Sequence, residues 1–148
     1  MRTVFKKAIL DKDEASSLYY IIQESLPWQE GIRSRKGFTR LACPLYSMEF
    51  PLIDDILKKA CKELSIYSNF HGIYVNYYKD GNMWTPNHSH PNTKQIVISL
   101  GATRNLKINS KIYSMESGDA IAFGHGIHGV MMQPDIKMGR ISIAAFFD

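Results

Sequence analysis

Four of the five histidines fall in two close pairs, His88-Ser89-His90 and His125-Gly126-Ile127-His128. On a strand, residues i and i+2 point to the same side, so His88 and His90 can aim two imidazoles into one cavity. A third imidazole from 40 residues later would close a three-nitrogen face. Imidazole suits iron, zinc, copper or nickel, and such a face leaves positions open for substrate and oxygen. The plain alternative is a polar turn over Asn87 to Asn92 with its histidines in solvent. A second cluster is cationic: Arg33, Arg35, Lys36 and Arg40 place four charges in eight residues, where an even spread of the 18 Lys and Arg would put about one. It reads either as a strip that contacts phosphates or as a solvated loop, and nothing inside the segment decides.

These groups need elements to hold them. The 148 residues amount to one domain, long enough to bury a core without disulfides. Hydrophobic residues at 45% and charged residues at 22% exclude a disordered tail, a fibre and a coiled coil. No run approaches 18 apolar residues, and Met1 to Leu10 has no apolar stretch behind its cations, so neither a membrane span nor a secretory signal is expected. The net charge of +4 only permits a polyanionic partner. Two cysteines, Cys43 and Cys61, are too few for a disulfide framework and read as reduced thiols of an intracellular protein.

The first third reads helical. With Asp13 as N-cap, Leu18, Ile22 and Leu26 form a stripe that Pro27 ends, and Trp28 packs under that helix. A second helix opens at Pro51 with Ile53, Leu57, Ala60 and Leu64 on one side. Gly31 to Phe50 between them reads as irregular or hairpin. After Ser68 the pattern is β: Ile73–Tyr78, Gln95–Leu100, Asn105–Ile108, Lys111–Ser114, Ala120–Phe123, His128–Met132 and Arg140–Phe147 are seven candidate strands between turn signals. So many short antiparallel strands predict a sandwich or barrel, with the two helices on one face: an α+β fold.

The order of short motifs carries more. Asn76-Tyr77-Tyr78-Lys79-Asp80-Gly81 begins 12 residues before His88, and Gln95 to Gly101 follows with its Ser99-Leu100-Gly101. Gly118-Asp119, His128-Gly129-Val130 and, 12 residues after His128, Arg140-Ile141-Ser142 complete the series. This resembles the AlkB-like family of Fe(II)/2-oxoglutarate dioxygenases, nucleic-acid demethylases built on a double-stranded β-helix. The family pattern reads N-x-Y-x-x-G, H-x-D, S-x-G, G-D, H-G-V and R-x-N/S. The front half is similar too, through Glu14-Ala15, Leu18, Leu26-Pro27-Trp28 and the basic segment ending at Arg40, so the likeness runs from about residue 8 to the end.

The resemblance implies a jelly-roll core over residues 71–148 behind a helical and nucleotide-recognition part over residues 1–70. It makes His88 and His128 iron ligands, Asn76 and Tyr78 hydrogen-bond partners of 2-oxoglutarate, Arg140 the ion-pair partner of its distal carboxylate, and Ser142 a nearby hydroxyl. Physically, a buried dicarboxylate requires a fixed cation, and arginine offers a planar two-pronged donor. Left unpaired in its apolar strand, that charge would be costly. A solvent-facing strand-start arginine is the competing reading. The implied partners are dioxygen and a flipped or single-stranded alkylated base of DNA or RNA, met by a monomer with no membrane. Arg33, Arg35, Lys36 and Arg40, with Phe38 and Tyr46, match the family's nucleotide-recognition lid in location. Asn92 matches a position that faces the base.

Two positions depart from the family. His90 stands where the family has the aspartate of H-x-D, making the third ligand an imidazole, and Phe146 stands where it has the last arginine of R-x-N-x-T-x-R. A three-histidine face can still hold Fe(II). A catalytically impaired nucleic-acid-binding relative is one alternative. Another is a cupin-like metal protein, in which Gln95 would stand where glutamate is usual. His125 offers a rival register for the distal ligand, Asp119 is read as a turn residue, and His71 is given no role.

Overall fold

Asp11, rather than Asp13, starts the first helix: its carboxylate accepts the Glu14 backbone N–H at 2.8 Å. That satisfies one of the donors a helix start leaves bare. Helix α1 (Lys12–Ser25) buries Ala15, Leu18 and Ile22. Trp28 closes its far end by donating the indole N–H to the Gln23 carbonyl at 2.9 Å. Helix α2 (Pro51–Leu64) buries Ile53, Ile56, Leu57, Ala60 and Leu64 and stops at Ser65 in the left-handed conformation. The computed structural model describes residues 1–30, 33–34, 37–45 and 50–148, the side chains of residues 33, 34, 37 and 38 aside. No described helix is long and apolar enough to cross a membrane. Cys43 and Cys61 are unpaired.

The described strands are β1 (Val4–Lys6), β2 (Gln29–Glu30), β3 (Arg33–Ser34), β4 (Gly37–Phe38), β5 (Leu41–Pro44), β6 (Gly72–Tyr78), β7 (Thr85–His88), β8 (Lys94–Gly101), β9 (Arg104–Ile108), β10 (Lys111–Met115), β11 (Ala120–Phe123), β12 (His128–Val130) and β13 (Arg140–Phe147). A large sheet runs β1-β11-β8-β13-β6-β5-β2 and a smaller one β10-β9-β12-β7, while β3 and β4 pair as a separate hairpin within the segment expected to hold one. The eight strands from β6 to β13 divide four and four between the two sheets, all pairing antiparallel. That is the jelly roll of the double-stranded β-helix. Strands β1, β2, β5 and β7 were not among the seven expected; the first three extend the large sheet at its edges.

Period-two alternation divides each central strand between two cores. Ile96, Ile98 and Leu100 of β8 and Ile141, Ile143, Ala145 and Phe147 of β13 join the buried cluster under α1 and α2. Their alternates, Val97 and Ala144, join a second cluster inside the barrel with Tyr78, Leu106, Ile121, Phe123 and Val130. The helices therefore seal the back of the large sheet, which frees its inner face to carry Gln95, Ser99, Arg140 and Ser142. Gly101 fixes where that row begins. It lies opposite Arg140 in register with φ +88, and a Cβ there would come within 2.5 Å of the Gly139 carbonyl and 2.9 Å of the Tyr19 ring.

Arg104 is a second fully buried arginine, and its role is structural. Its Nη1 donates to the Asp80 carbonyl at 3.1 Å, its Nη2 to those of Met83 and Met131 at 2.7 and 2.8 Å, and its Nε to Gln133 Oε1 at 3.2 Å. It thereby ties the β6–β7 connection to the segment after β12, the two stretches that frame the barrel end near Tyr78. Arg104→Met is expected to lower the unfolding free energy by about 3–5 kcal/mol, because four partly buried acceptors lose a charged donor together. Urea unfolding measures this; a loss below about 1 kcal/mol would show that the loops re-pair without it.

Candidate metal centre

His128 opens β12 directly opposite His88, the last residue of β7. That register sets the two rings side by side with centroids 4.4 Å apart. His90, just past the end of β7, turns back so that its Nε2 lies 3.0 Å from His88 Nε2. One ligating nitrogen from each of the three lies within 4.8 Å of the other two. His125, the rival, lies in a small separate cavity with Asn109 and Phe123.

The backbone fixes which nitrogens are free. His88 Nδ1 is 2.8 Å from the Pro86 carbonyl and His128 Nδ1 2.9 Å from the Gly126 carbonyl. A carbonyl only accepts, so both Nδ1 atoms carry the hydrogen and both Nε2 atoms present lone pairs inward. Burial pushes His128 down to about 4, helped by the neighbouring imidazoles, and also lowers His90. These two are therefore neutral near pH 7, as a metal requires. With His88 Nε2 an acceptor, the hydrogen between the two rings belongs to His90 Nε2; His90 would offer that nitrogen to a divalent cation by carrying its hydrogen on Nδ1 instead. The donor set fits a first-row divalent metal of the kind imidazole favours.

The same neutrality makes the ion-free chain acid-sensitive. His128 has its ordinary value of 6.5 when unfolded and about 4 when folded, so the unfolded state takes up the proton first. Stability is full above pH 6.5 and is lost as pH falls toward 4. A drop of about 2–3 kcal/mol by pH 4.5 is expected in chelator-treated protein. Urea midpoints that stay level between pH 7 and 4.5 would contradict a buried neutral His128.

Below the imidazoles lies a cavity of about 620 Å³. Its lining includes Asn76, Tyr78, Gln95, Arg40, Arg140 and Ser142, and none of the described residues lining it is Asp or Glu. Arg140 is 1% exposed; Nε donates to Ser99 Oγ at 2.7 Å, but Nη1 and Nη2 are buried with no hydrogen-bond partner among the described residues. Burial pulls this guanidinium down to about 10, so it stays charged at neutral pH. A buried cation with two unanswered N–H edges, in a cavity without carboxylates, suits an anionic ligand. A dicarboxylate keto acid fits that requirement.

The other expected site residues divide. Asn76 faces the cavity, but its Oδ1 accepts from Arg40 Nε at 2.7 Å while its Nδ2 lies 3.4 Å from Ser142 Oγ. The Tyr78 hydroxyl is 2.6 Å from Thr85 Oγ1, and its ring meets the guanidiniums of both Arg140 and Arg104, 5.4 and 5.3 Å from its centre. Arg40 does not lie on an exposed strip: it is 5% exposed, lines the cavity, and donates from Nη1 to Thr39 Oγ1 at 3.1 Å. Arg33 belongs to the β3–β4 hairpin, with its side chain outside the described residues, as are Arg35, Lys36 and Tyr46 altogether. Asn92 sits in an exposed turn at φ 60 and does not line the cavity. His71, given no role, does line it. Asp119 accepts the Ala8 and Glu116 backbone N–H groups, as a turn residue should.

Sequence reasoning gave Gln95 no role in the dioxygenase reading. It is 3% exposed on β8, and its carboxamide nitrogen lies 3.1 Å from His128 Nε2. Its inward alternation with Val97 and Ser99 was the available signal. The two departures from the family pattern also meet: the His90 and Phe146 rings are 5.0 Å apart at 68°. Edge-to-face packing of a neutral imidazole on an aromatic ring leaves no ionic pairing to satisfy there.

No protein-family model and no curated protein matches the sequence. Solved structures match its fold. The non-heme α-ketoglutarate-dependent epimerase SnoN from nogalamycin biosynthesis superposes with a TM-score of 0.75 at 11% identity, over 99% of this chain and 77% of that one. A 2OG-Fe(II) oxygenase family oxidoreductase from Burkholderia pseudomallei gives 0.65 at 13%, over 98% and 84%. OsALKBH1 gives 0.66 at 15%, over 98% of each chain. At such identities what is shared is the backbone path, and that path, together with the two-sheet topology, gives this chain the double-stranded β-helix fold seen in 2-oxoglutarate/Fe(II) oxygenases.

Proposed function

We propose that the chain is an Fe(II)- and 2-oxoglutarate-dependent dioxygenase that oxidatively removes N-alkyl groups from nucleic-acid bases. The observation that carries this is the convergence of three imidazoles above a buried guanidinium with unanswered N–H groups in one cavity. His88, His90 and His128 hold the metal. Arg140 pairs with the distal carboxylate of 2-oxoglutarate, and Ser142 lends a hydroxyl beside it. When bound, the metal and the keto acid supply the dioxygen chemistry; the protein supplies position and dryness. Val97, Leu106, Val130 and Ala144 give the cavity apolar walls that exclude water. Asn76 acts on the co-substrate through the Arg40–Asn76–Ser142 chain, and Tyr78 backs Arg140 with its ring.

A nucleic-acid substrate is supported by the likeness to OsALKBH1 over nearly the whole of both chains and by the cations at residues 33–36, which precede the cavity residue Arg40 in sequence. Arg33, Arg35 and Lys36 contact phosphates, and from its turn Asn92 meets the strand outside the cavity. A second reading, a relative that binds but does not turn over, is favoured by His90 in place of a carboxylate against Phe146. Succinate release from Fe(II)-loaded protein separates them. Release that rises on adding an N-methylated single-stranded oligonucleotide, but not an unmethylated one, is the result expected. Oligonucleotide and 2-oxoglutarate binding without succinate supports the second reading. Succinate that rises only with an unrelated substrate, such as a prolyl peptide, overturns the nucleic-acid assignment.

A further inference from the structure

We propose that Arg40 reads an oxyanion of the primary substrate inside the cavity, pairing with a phosphate oxygen of the nucleotide whose base is oxidised. This rests on the nucleic-acid reading above and deepens it, because the anion belongs to the reacting unit itself and not to the flanking strand. Arg40 lies just before β5, next to Thr39, whose carbonyl accepts the Trp84 backbone N–H at 2.7 Å. That bond ties the segment to the start of β7 and holds Arg40, 5% exposed, against the cavity.

The partners of Arg40 do not answer its charge. Nε donates to Asn76 Oδ1 at 2.7 Å and Nη1 to Thr39 Oγ1 at 3.1 Å, and both acceptors are neutral. A guanidinium carries five N–H groups, so three of them have no acceptor among the described residues. No described carboxylate forms an ion pair with it. Arg104 is the contrast, since it spends its N–H groups on four protein acceptors.

Charge balance points the same way. Imidazole ligands are neutral, so a divalent metal, Arg40 and Arg140 bring four positive charges to a cavity whose described lining holds no carboxylate. The two carboxylates of 2-oxoglutarate answer half of that charge. Its distal carboxylate goes to Arg140 and its keto-acid end to the metal, which leaves Arg40 without a counter-charge. His90 in place of the family's aspartate leaves the site one negative charge shorter still. A buried cation of this kind is costly unless an anion arrives with the substrate. A phosphate accepts two parallel N–H bonds from a guanidinium, which suits the N–H groups left over.

The test is anaerobic calorimetric titration of the chain, loaded with Mn(II) and 2-oxoglutarate, with an N-methylated nucleoside and with its 5′-monophosphate. Wild type is expected to bind the monophosphate at least about 30-fold more tightly, and Arg40→Met to cut that advantage to about threefold or less. The 2-oxoglutarate Kd of Arg40→Met should shift less than about fivefold, the worth of the one neutral hydrogen bond to Asn76. Should Arg40→Met not fold, Arg40→Gln, which keeps a donor for Asn76, decides in its place. Equal affinity of wild type for the two compounds overturns the assignment, as does an advantage that survives in the variant. A loss of 2-oxoglutarate binding as large as the loss of nucleotide binding overturns it too, since Arg40 would then serve the co-substrate. Binding of a methylated oligonucleotide but of neither small compound defeats this subsite alone. If no methylated compound of any length binds, the nucleic-acid reading itself fails.

Discussion

Arg140→Met is expected to weaken 2-oxoglutarate binding at least about 100-fold while leaving the ligand-free protein as stable as wild type or more so. The reason lies in what the guanidinium lacks. Only Nε has a partner, Ser99 Oγ, and the other two nitrogens are buried and unanswered. The ligand-free fold therefore bears a desolvated charge that Ser99 and the Tyr78 ring only partly compensate, and an apolar side chain of similar length relieves that cost. With a dicarboxylate in place, the same charge gains a two-pronged ion pair in a dry site. Removing one partner of such a pair costs about 3–5 kcal/mol, or roughly two to three orders of magnitude in Kd. Calorimetry in the presence of Mn(II) and urea unfolding without ligand read the two effects separately. An unchanged Kd would refute the ion pair. A variant destabilised by several kcal/mol would show Arg140 to be a structural residue of the kind Arg104 is.

His128→Ala is expected to lower divalent-metal affinity about 100- to 1,000-fold. His128 is the one imidazole of the three that is buried, at 5% exposure, and its ring orientation is held by the Gly126 carbonyl on one side. Losing it leaves His88 and His90, which share one edge of the site but do not enclose an ion. Outer partners that orient a ligand already matter 10–100-fold, so a ligand itself exceeds that. His90→Asp should act oppositely and tighten Fe(II), since a carboxylate adds negative charge to a neutral donor set. The gain is limited because the group facing that position is the Phe146 ring, which cannot pair with a carboxylate. Equilibrium competition against a coloured chelator measures both variants. Wild-type affinity in His128→Ala would mean that the metal sits elsewhere.

Period and spacing made much of this legible. Alternation located β6, β8 and β13, and with them the inward row that ends in Arg140. The three imidazoles were legible because the i, i+2 pair and the later histidine are sequence facts, and a strand register of His128 on His88 brings them together. What was not legible depends on tertiary partners. Arg40 sits in a basic segment without periodicity, so nothing local distinguishes a surface charge from one turned inward against Asn76. Arg104 drew no reading from the sequence, because its backbone acceptors are carbonyls 21 to 27 residues away. Strand β7 was missed because Thr85-Pro86-Asn87-His88 has turn-like composition and is a strand only by pairing with β12. The mutual packing of His90 and Phe146 joins two separate departures in sequence into one local change in space.

The most direct measurement is a titration of 2-oxoglutarate into the chain with and without saturating Mn(II), made anaerobically and repeated with Fe(II). Binding at least about tenfold tighter in the metal-loaded protein, with 2-oxoglutarate tightening the metal by the same factor, is the result expected of one cavity holding both. Identical affinity with and without metal, or no binding in either case, would contradict it.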